Sequence, residues 1–147
     1  MKNKILALLV LAMITISTTF ANDINVNDNV LAAFSEQFLK ASKVNWVKTA
    51  DYYKASFEFN GQHLSAFFSE EGEMIGVKRN LLSTELPINL QVILNKKYSG
   101  YWVSELFEYA ANGETTYYIS VENADQNLTL QSVGSTDWLT FSRKTKQ

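Results

Sequence analysis

The run Y-Y-K-A-S-F-E-F-N-G-Q-H-L-S-A-F-F, residues 52–68, decides the architecture. Two alternating segments flank Asn60-Gly61, the residue pair that best suits a two-residue hairpin turn. Such a turn sets Phe57 opposite Leu64, Ala55 opposite Ala66 and Tyr53 opposite Phe68. Those six side chains share one face, and apolar cross-strand pairs hold a sheet together. The other face carries Tyr52, Lys54, Ser56, Glu58, His63, Ser65, Phe67 and Ser69. A slip of one residue would turn the apolar set to water, so the register is specified. The expectation is a sheet with one buried face and one open face.

Elements of the same kind lie on both sides of the hairpin. Val30, Leu31, Phe34 and Phe38 fall at helical spacing after a polar lead-in, Asn22–Asn29, in which Asn27 or Asp28 can cap. The spacing predicts a helix ending near Ala41-Ser42. Lys43–Lys48 alternates as a short strand, and Met74–Arg79 reads as another after the turn Glu70-Glu71-Gly72-Glu73. Pro87 suits the first turn of a second helix, since its missing N–H is not needed there. Leu90, Ile93, Leu94 and Tyr98 form that helix's stripe. Ser99-Gly100 stops it, with Gly100 available for a left-handed cap. Four more strands follow: Tyr101–Tyr109, Thr115–Glu122, Gln126–Val133 and Asp137–Ser142. Asn112-Gly113 turns between the first two. Broken alternation at Val103 and Leu106 predicts a bulge.

The second half repeats the first. At an offset of 64, Tyr53 meets Tyr117, Glu58 meets Glu122, Leu64 meets Leu128 and Arg79 meets Arg143; Met74 meets Trp138 and Val77 meets Phe141. The helices match at an offset of 60, Phe34 with Leu94 and Phe38 with Tyr98. The four extra residues then lie between Ser99 and Gly113, in a longer first hairpin. Residues 22–82 and 83–147 are expected to form two α-β4 units. Phe34, Phe38, Phe57, Leu64, Leu94, Tyr98, Ile119 and Leu130 are expected in one shared helix–sheet interface. Trp46 and Trp138 alternate onto the core side, while the bulge leaves the face of Trp102 open.

These residues resemble a known family. Ala33-Phe34 and Phe38, then Val44 and Trp46, then Tyr53, Ala55, Phe57 and Gly61, then Leu86-Pro87 match the β-lactamase-inhibitor-like, PepSY-like proteins exported by Bacteroidetes. The likeness covers nearly all of the chain after residue 21. It implies an α+β fold in which tandem α-β4 units make one curved antiparallel sheet, with both helices on its convex side. It implies no catalytic residues, and inhibition of a hydrolase by analogy of fold alone. The family often carries proline after each helix. Leu39 and Ser99 stand there instead, which implies longer helix ends.

At the N-terminus, Lys2 and Lys4 precede the apolar run Ile5–Ile14, and Thr19 and Ala21 suit a signal-peptidase site. The run is too short for a membrane span, which needs about 20 apolar residues. Residues 1–21 therefore read as a signal peptide, cleaved near Ala21, which places the protein in the periplasm or outside the cell with no membrane anchor. Loss of Lys2 and Lys4 takes the formal charge from −2 to −4. That balance disfavours nucleic acid, which wants clustered Lys and Arg. The basic segment Arg143–Lys146 reads as a solvated frayed tail. With no cysteine there is no disulfide, lipid anchor or thiolate chemistry.

Candidate sites are few. His63, the single histidine, stands opposite Glu58, a pair that invites acid–base chemistry but lacks a nucleophile. Glu70, Glu71 and Glu73 crowd one turn without the ligand spacing of a calcium loop, and one histidine without cysteine builds no usual zinc site. No cofactor or metal is expected, nor is enzymatic activity. Asn127-Leu128-Thr129 fits a glycosylation sequon, a pattern frequent by chance. The expected partner-binding face is the open one: Tyr52, Lys54, Glu58, His63, Phe67 and Tyr118, with Phe107 and Tyr109 beside them. Exposed aromatics among charges suit protein recognition; the alternative is that these rings pack on each other or on the C-terminal tail. Lys54 opposes Phe67, so its stem can cross the ring. On the exposed reading, truncating Tyr52 and Phe67 changes stability by no more than about 1 kcal/mol. The function expected is an exported binding module for an envelope protein, or else for a small ligand, peptide or glycan.

Overall fold

A computed structural model describes residues 24–146. The signal-peptide reading falls on residues outside that range. Helix α1 (Asp28–Gln37) leads into β1 (Ser42–Lys48), β2 (Tyr53–Phe59), β3 (Gln62–Phe68) and β4 (Met74–Asn80). A 3-10 turn (Ser83–Glu85) then leads to α2 (Ile88–Lys97), followed by β5 (Trp102–Ala111), β6 (Glu114–Glu122), β7 (Gln126–Val133) and β8 (Asp137–Thr145). The strands form one antiparallel sheet in the order of the chain, β1 to β8. The protein is thus α+β, two tandem α-β4 units sharing one curved sheet, with both helices on the same face.

The hairpin pairs as the alternation dictates: Tyr53 with Phe68, Ala55 with Ala66 and Phe57 with Leu64. Asn60 and Gly61 both adopt positive φ, at 51° and 78°, and Asn112 and Gly113 repeat that turn at 54° and 78°. A primed turn of this kind matches the twist of its strands, which is why Asn-Gly fixes the register. The four extra residues of the second unit lengthen β5 and β6, and the bulge lies between Val103 and Glu105.

Both helices are shorter than the sequence implies. Asn27 caps α1, its Oδ1 accepting from the Asn29 N–H at 2.9 Å. The helix leaves its path at Phe38, whose φ is −126°, after a last bond from the Phe38 N–H to the Phe34 carbonyl. That departure lays Phe38 against Phe57, with ring centroids 4.7 Å apart. Tyr98 ends α2 in the same way, donating to the Leu94 carbonyl. Positive φ occurs at Gly61, Gly72, Gly113 and Gly134, so Gly100 supplies no left-handed cap. The polar lead-in is partly structural, because Val26 is buried against α1's core. The basic tail is strand: Gln126 pairs with Thr145 and Leu128 with Arg143, and Lys146 salt-bridges Glu122 at 2.8 Å.

The core divides into three, in place of one shared interface. Under α1, Val30 and Phe34 pack on Tyr53, Ala55, Phe57, Ala66 and Phe68, with Phe38, Leu64 and Trp46 at the margin. Under α2, Leu90 and Leu94 pack on Leu106, Ile119, Val121, Leu128, Leu130 and Trp138, with Tyr98 at the margin. The Trp138 Nε1–H also donates to the Leu90 carbonyl at 3.1 Å. Between these two cores, on the helix side, runs a polar seam. Arg79 Nε meets Glu108 at 2.8 Å across β4–β5, and Arg79 Nη1 meets Glu85 at 3.2 Å.

The third cluster lies on the other face: Tyr52, Phe67, Phe107, Tyr109 and Tyr118, with Ile75, Ala111 and Phe141 beside them. It draws on both units. Phe67 and Tyr109 meet across the joint at 6.2 Å, edge to face. Fully burying such a ring contributes roughly 1.5–3 kcal/mol, against about 0–1 kcal/mol for an ion pair open to solvent. The aromatic cluster, rather than the ion pairs, therefore holds the units together.

Candidate functional site

The face without helices has an aromatic half and a polar half. Its members follow from parity: residues two apart on one strand share a face. Tyr52 just before β2, Lys54, Ser56 and Glu58 on β2, then His63, Ser65 and Phe67 on β3, all point away from the helices. Cross-strand partners extend these rows onto Lys78 and Asn80 of β4, Tyr109 and Phe107 of β5, and Tyr118 of β6.

Direction was legible, but exposure was not. Tyr52 is 5% exposed, Tyr118 2% and Phe67 fully buried. The expectation that Tyr52, Phe67 and Tyr118 present an open aromatic surface is corrected, because the rings cover one another. Tyr52 meets Phe67 edge to face at 5.5 Å, and Phe107 stacks on Tyr118 at 5.2 Å. Phe141 closes against Tyr118 at 5.8 Å. Phe141 is the residue skipped where β8 bulges against β7, between the partners of Thr129 and Leu130. The bulge turns it off the helix side, where its repeat partner Val77 stays. Ile75 is turned the same way by the β3–β4 bulge. A side chain on Gly76 would collide with the Tyr109 ring and its hydroxyl, so the missing side chain makes room for that ring. The Tyr109 O–H donates to the Ile75 carbonyl at 3.3 Å. Burial raises the pKa of Tyr52, Tyr109 and Tyr118, as it must for a phenol whose charged form would lose its water.

The polar half lies on the first unit. A depression of about 320 Å³ is lined by Lys54, Ser56, Glu58, His63, Ser65 and Lys78, among others. Lys43, at positive φ in the β1 bulge, places its Nζ 2.8 Å from Glu58 Oε1. A hydrogen bond from that ammonium holds the Glu58 carboxyl below its usual pKa, and His63 adds a weaker pull. His63 is largely exposed, and its Nε2 lies 3.6 Å from Glu58, beyond a hydrogen bond. The pair is therefore a loose cross-strand contact, with Glu58 committed to Lys43. The Ser56 and Ser65 hydroxyls bond each other at 3.2 Å. Lys78 joins Glu105 at 2.7 Å, its ammonium 4.0 Å from the centre of the Phe107 ring.

Lys54 is the exception in this network. It is half-buried and opposes Phe67, yet among the described residues no carboxylate lies within ion-pair distance of its Nζ. Burial first, then the Lys78 charge, lower its pKa, and Glu105 offsets part of this.

Two other readings resolve plainly. Trp102 is 54% exposed at the start of β5, with the Lys146 ammonium 4.8 Å from its ring centre. The acidic turn is a docking element: Asn27 Nδ2 donates to the Glu70 carbonyl at 3.0 Å, and Glu70 pairs with Lys48 at 3.1 Å. Among the described residues no three His, Asp or Glu side chains gather as a metal set. No helix there is long and apolar enough to cross a membrane.

Two helices on one face of an eight-stranded sheet, each leading its own four strands, define a β-lactamase-inhibitor-like architecture. Solved structures share it. A BLIP-like protein from Bacteroides fragilis superposes with a TM-score of 0.72 at 16% identity, over 83% of this chain and 87% of that one. A DUF2874 family protein from Bacteroides uniformis gives 0.71 at 17%, over 80% and 88%. A provisionally periplasmic protein from Bacteroides eggerthii gives 0.74 at 16%, over 83% and 90%. No family model and no curated protein matches the sequence. At these identities the likeness is one of fold.

Proposed function

We propose that the chain is an exported binding module, without catalysis of its own, that engages a protein partner through the polar half of its helix-free sheet face. The observation that carries this is the depression on β2–β4. It is a set of convergent polar side chains left uncovered beside the packed aromatic cluster of the same face. Function needs its contact groups held by packed neighbours; Phe67 lies opposite Lys54, and Lys43 holds Glu58. Lys54, Glu58 and His63 are the contact residues in this reading; Tyr52, Phe67 and Tyr118 pack beside them on the same face. The periplasmic assignment attached to the Bacteroides eggerthii structure supports export. Hydrolase inhibition is the form of engagement that a BLIP-like fold suggests. A depression of about 320 Å³ is at the small end of ligand sites, so a protruding side chain or small acid fits better than an extended glycan.

The test is capture from envelope extract by wild-type protein and by two variants. A partner retained in stoichiometric amount, lost with Glu58→Lys/His63→Glu and kept with Val92→Glu on the exposed side of α2, supports the reading. Equal capture by both variants sets it aside. Enzymatic assay of the captured partner then decides inhibition. N-terminal sequencing should find Asn22 first; retention of Met1 would remove export.

A further inference from the structure

The depression concentrates positive charge on a chain that is acidic overall. Lys43, Lys54 and Lys78 line it with a single carboxylate, Glu58, whereas the whole sequence carries a formal charge of −2. Lys43 and Lys78 already have acidic partners, at 2.8 and 2.7 Å. Among the described residues Lys54 has none, although it is half-buried beside another ammonium. An uncompensated, partly desolvated charge opposes folding. A fold that keeps one has room for a neutral side chain there and does not use it. Two residues further along the same face, the Ser56 and Ser65 hydroxyls bond each other. One of the two must donate, which leaves the other hydrogen free.

We propose that Lys54 and the Ser56–Ser65 hydroxyl pair receive one carboxylate from an acidic segment of the partner. This deepens the reading above by naming the chemistry recognised, and it rests on that reading for the source of the acid. The donor set favours a single negative charge. One ammonium and one hydroxyl hydrogen are free, and the strand amides here are engaged in the sheet ladders. A phosphate dianion is served best by arginine forks or free backbone N–H groups. Here it would also face Glu58 with one unpaired lysine to meet it.

The experiment is an NMR titration of the protein with the capped peptide acetyl-Gly-Glu-Gly-amide, its Gln analogue and inorganic phosphate. The Glu peptide should shift Lys54, Ser56 and Ser65 signals and raise the Lys54 ammonium pKa. It should bind roughly tenfold more tightly than the Gln peptide, the scale of one charge-assisted hydrogen bond. Lys54→Met should lose that roughly tenfold preference; if Met does not fold, Lys54→Gln takes its place, and the wild-type ammonium titration stands without either. Equal binding of the two peptides, an unmoved Lys54 pKa, tighter binding of phosphate, or full affinity in the variant would each overturn the proposal. Its failure is separable from that of the proposed function. A captured protein that survives Lys54→Met leaves partner engagement standing and removes carboxylate recognition alone.

Discussion

Phe34 and Leu94 lie on the helix side of the sheet in separate cores, and a charged seam of Arg79, Glu85 and Glu108 divides them. Phe67 and Tyr109 lie on the other side and meet directly across the same joint. The face that packs helices is thus local to each unit, and the face without helices is what joins them. Elsewhere the joint is slight. β4 and β5 pair over Val77–Asn80 with Phe107–Ala110, fewer rungs than β5 makes with β6. A sheet face with no layer above it can still be core when curvature brings its own large rings together.

The largest expected effect is at Phe67. Phe67→Ala should cost about 3–5 kcal/mol in urea denaturation, as for other fully buried aromatics; a cost below 1 kcal/mol would restore the exposed reading. Gly76→Ala should cost about 1–3 kcal/mol, since the new methyl displaces the Tyr109 ring. Phe38→Ala, at the margin of α1's core, should fall below the fully buried range, near 1–2 kcal/mol by the area it covers. Lys54→Met should stabilise the fold by about 0.5–1 kcal/mol in a thermal melt. The folded Lys54 pKa is lowered, so the unfolded chain holds its proton more tightly. The strain is therefore full below the folded value and relieved as pH rises toward the ordinary 10.5. Tyr109 runs the other way. Its folded pKa is raised, so stability is intact below the ordinary 10.0 and declines as pH climbs beyond it. The tyrosinate absorbance lost in Tyr109→Phe should appear only in that alkaline range.

The sequence was most informative where a physical rule acts locally. Asn60-Gly61 and Asn112-Gly113 need positive φ at both positions, so they set both hairpins and, through them, the side on which each residue of β2, β3, β5 and β6 lies. Leu64 and Leu128 hold matching places, each on the helix side of its unit's third strand. Burial of Tyr52, Phe67 and Tyr118 was not legible, because alternation gives a side chain's direction and says nothing of what covers it. Part of that cover is Tyr109 on Phe67, brought from the other unit by β4–β5 pairing that leaves no local pattern, and part comes from bulges that turn Ile75 and Phe141 off their expected face. Helix ends were misjudged because Phe38 and Tyr98 leave the helix to pack, a tertiary pull that propensity does not register. At the site, Lys54, Glu58 and His63 were correctly grouped on one face. That Lys54, among the three lysines of the depression, lacks a carboxylate partner among the described residues depends on the Lys43 bulge and on Glu105, neither of which spacing could bring to it.

The division of the two faces is tested most directly by a pair of double-mutant cycles in urea denaturation. Phe67→Leu with Tyr109→Leu, one residue from each unit on the helix-free face, should show a coupling of about 0.5–1.5 kcal/mol, the scale of an aromatic contact. Phe34→Leu with Leu94→Ala, one residue from each helix-side core, should be additive within about 0.5 kcal/mol. Coupling between Phe34 and Leu94 with none between Phe67 and Tyr109 would contradict the account, placing the joint under the helices and leaving the other face free of structural duty.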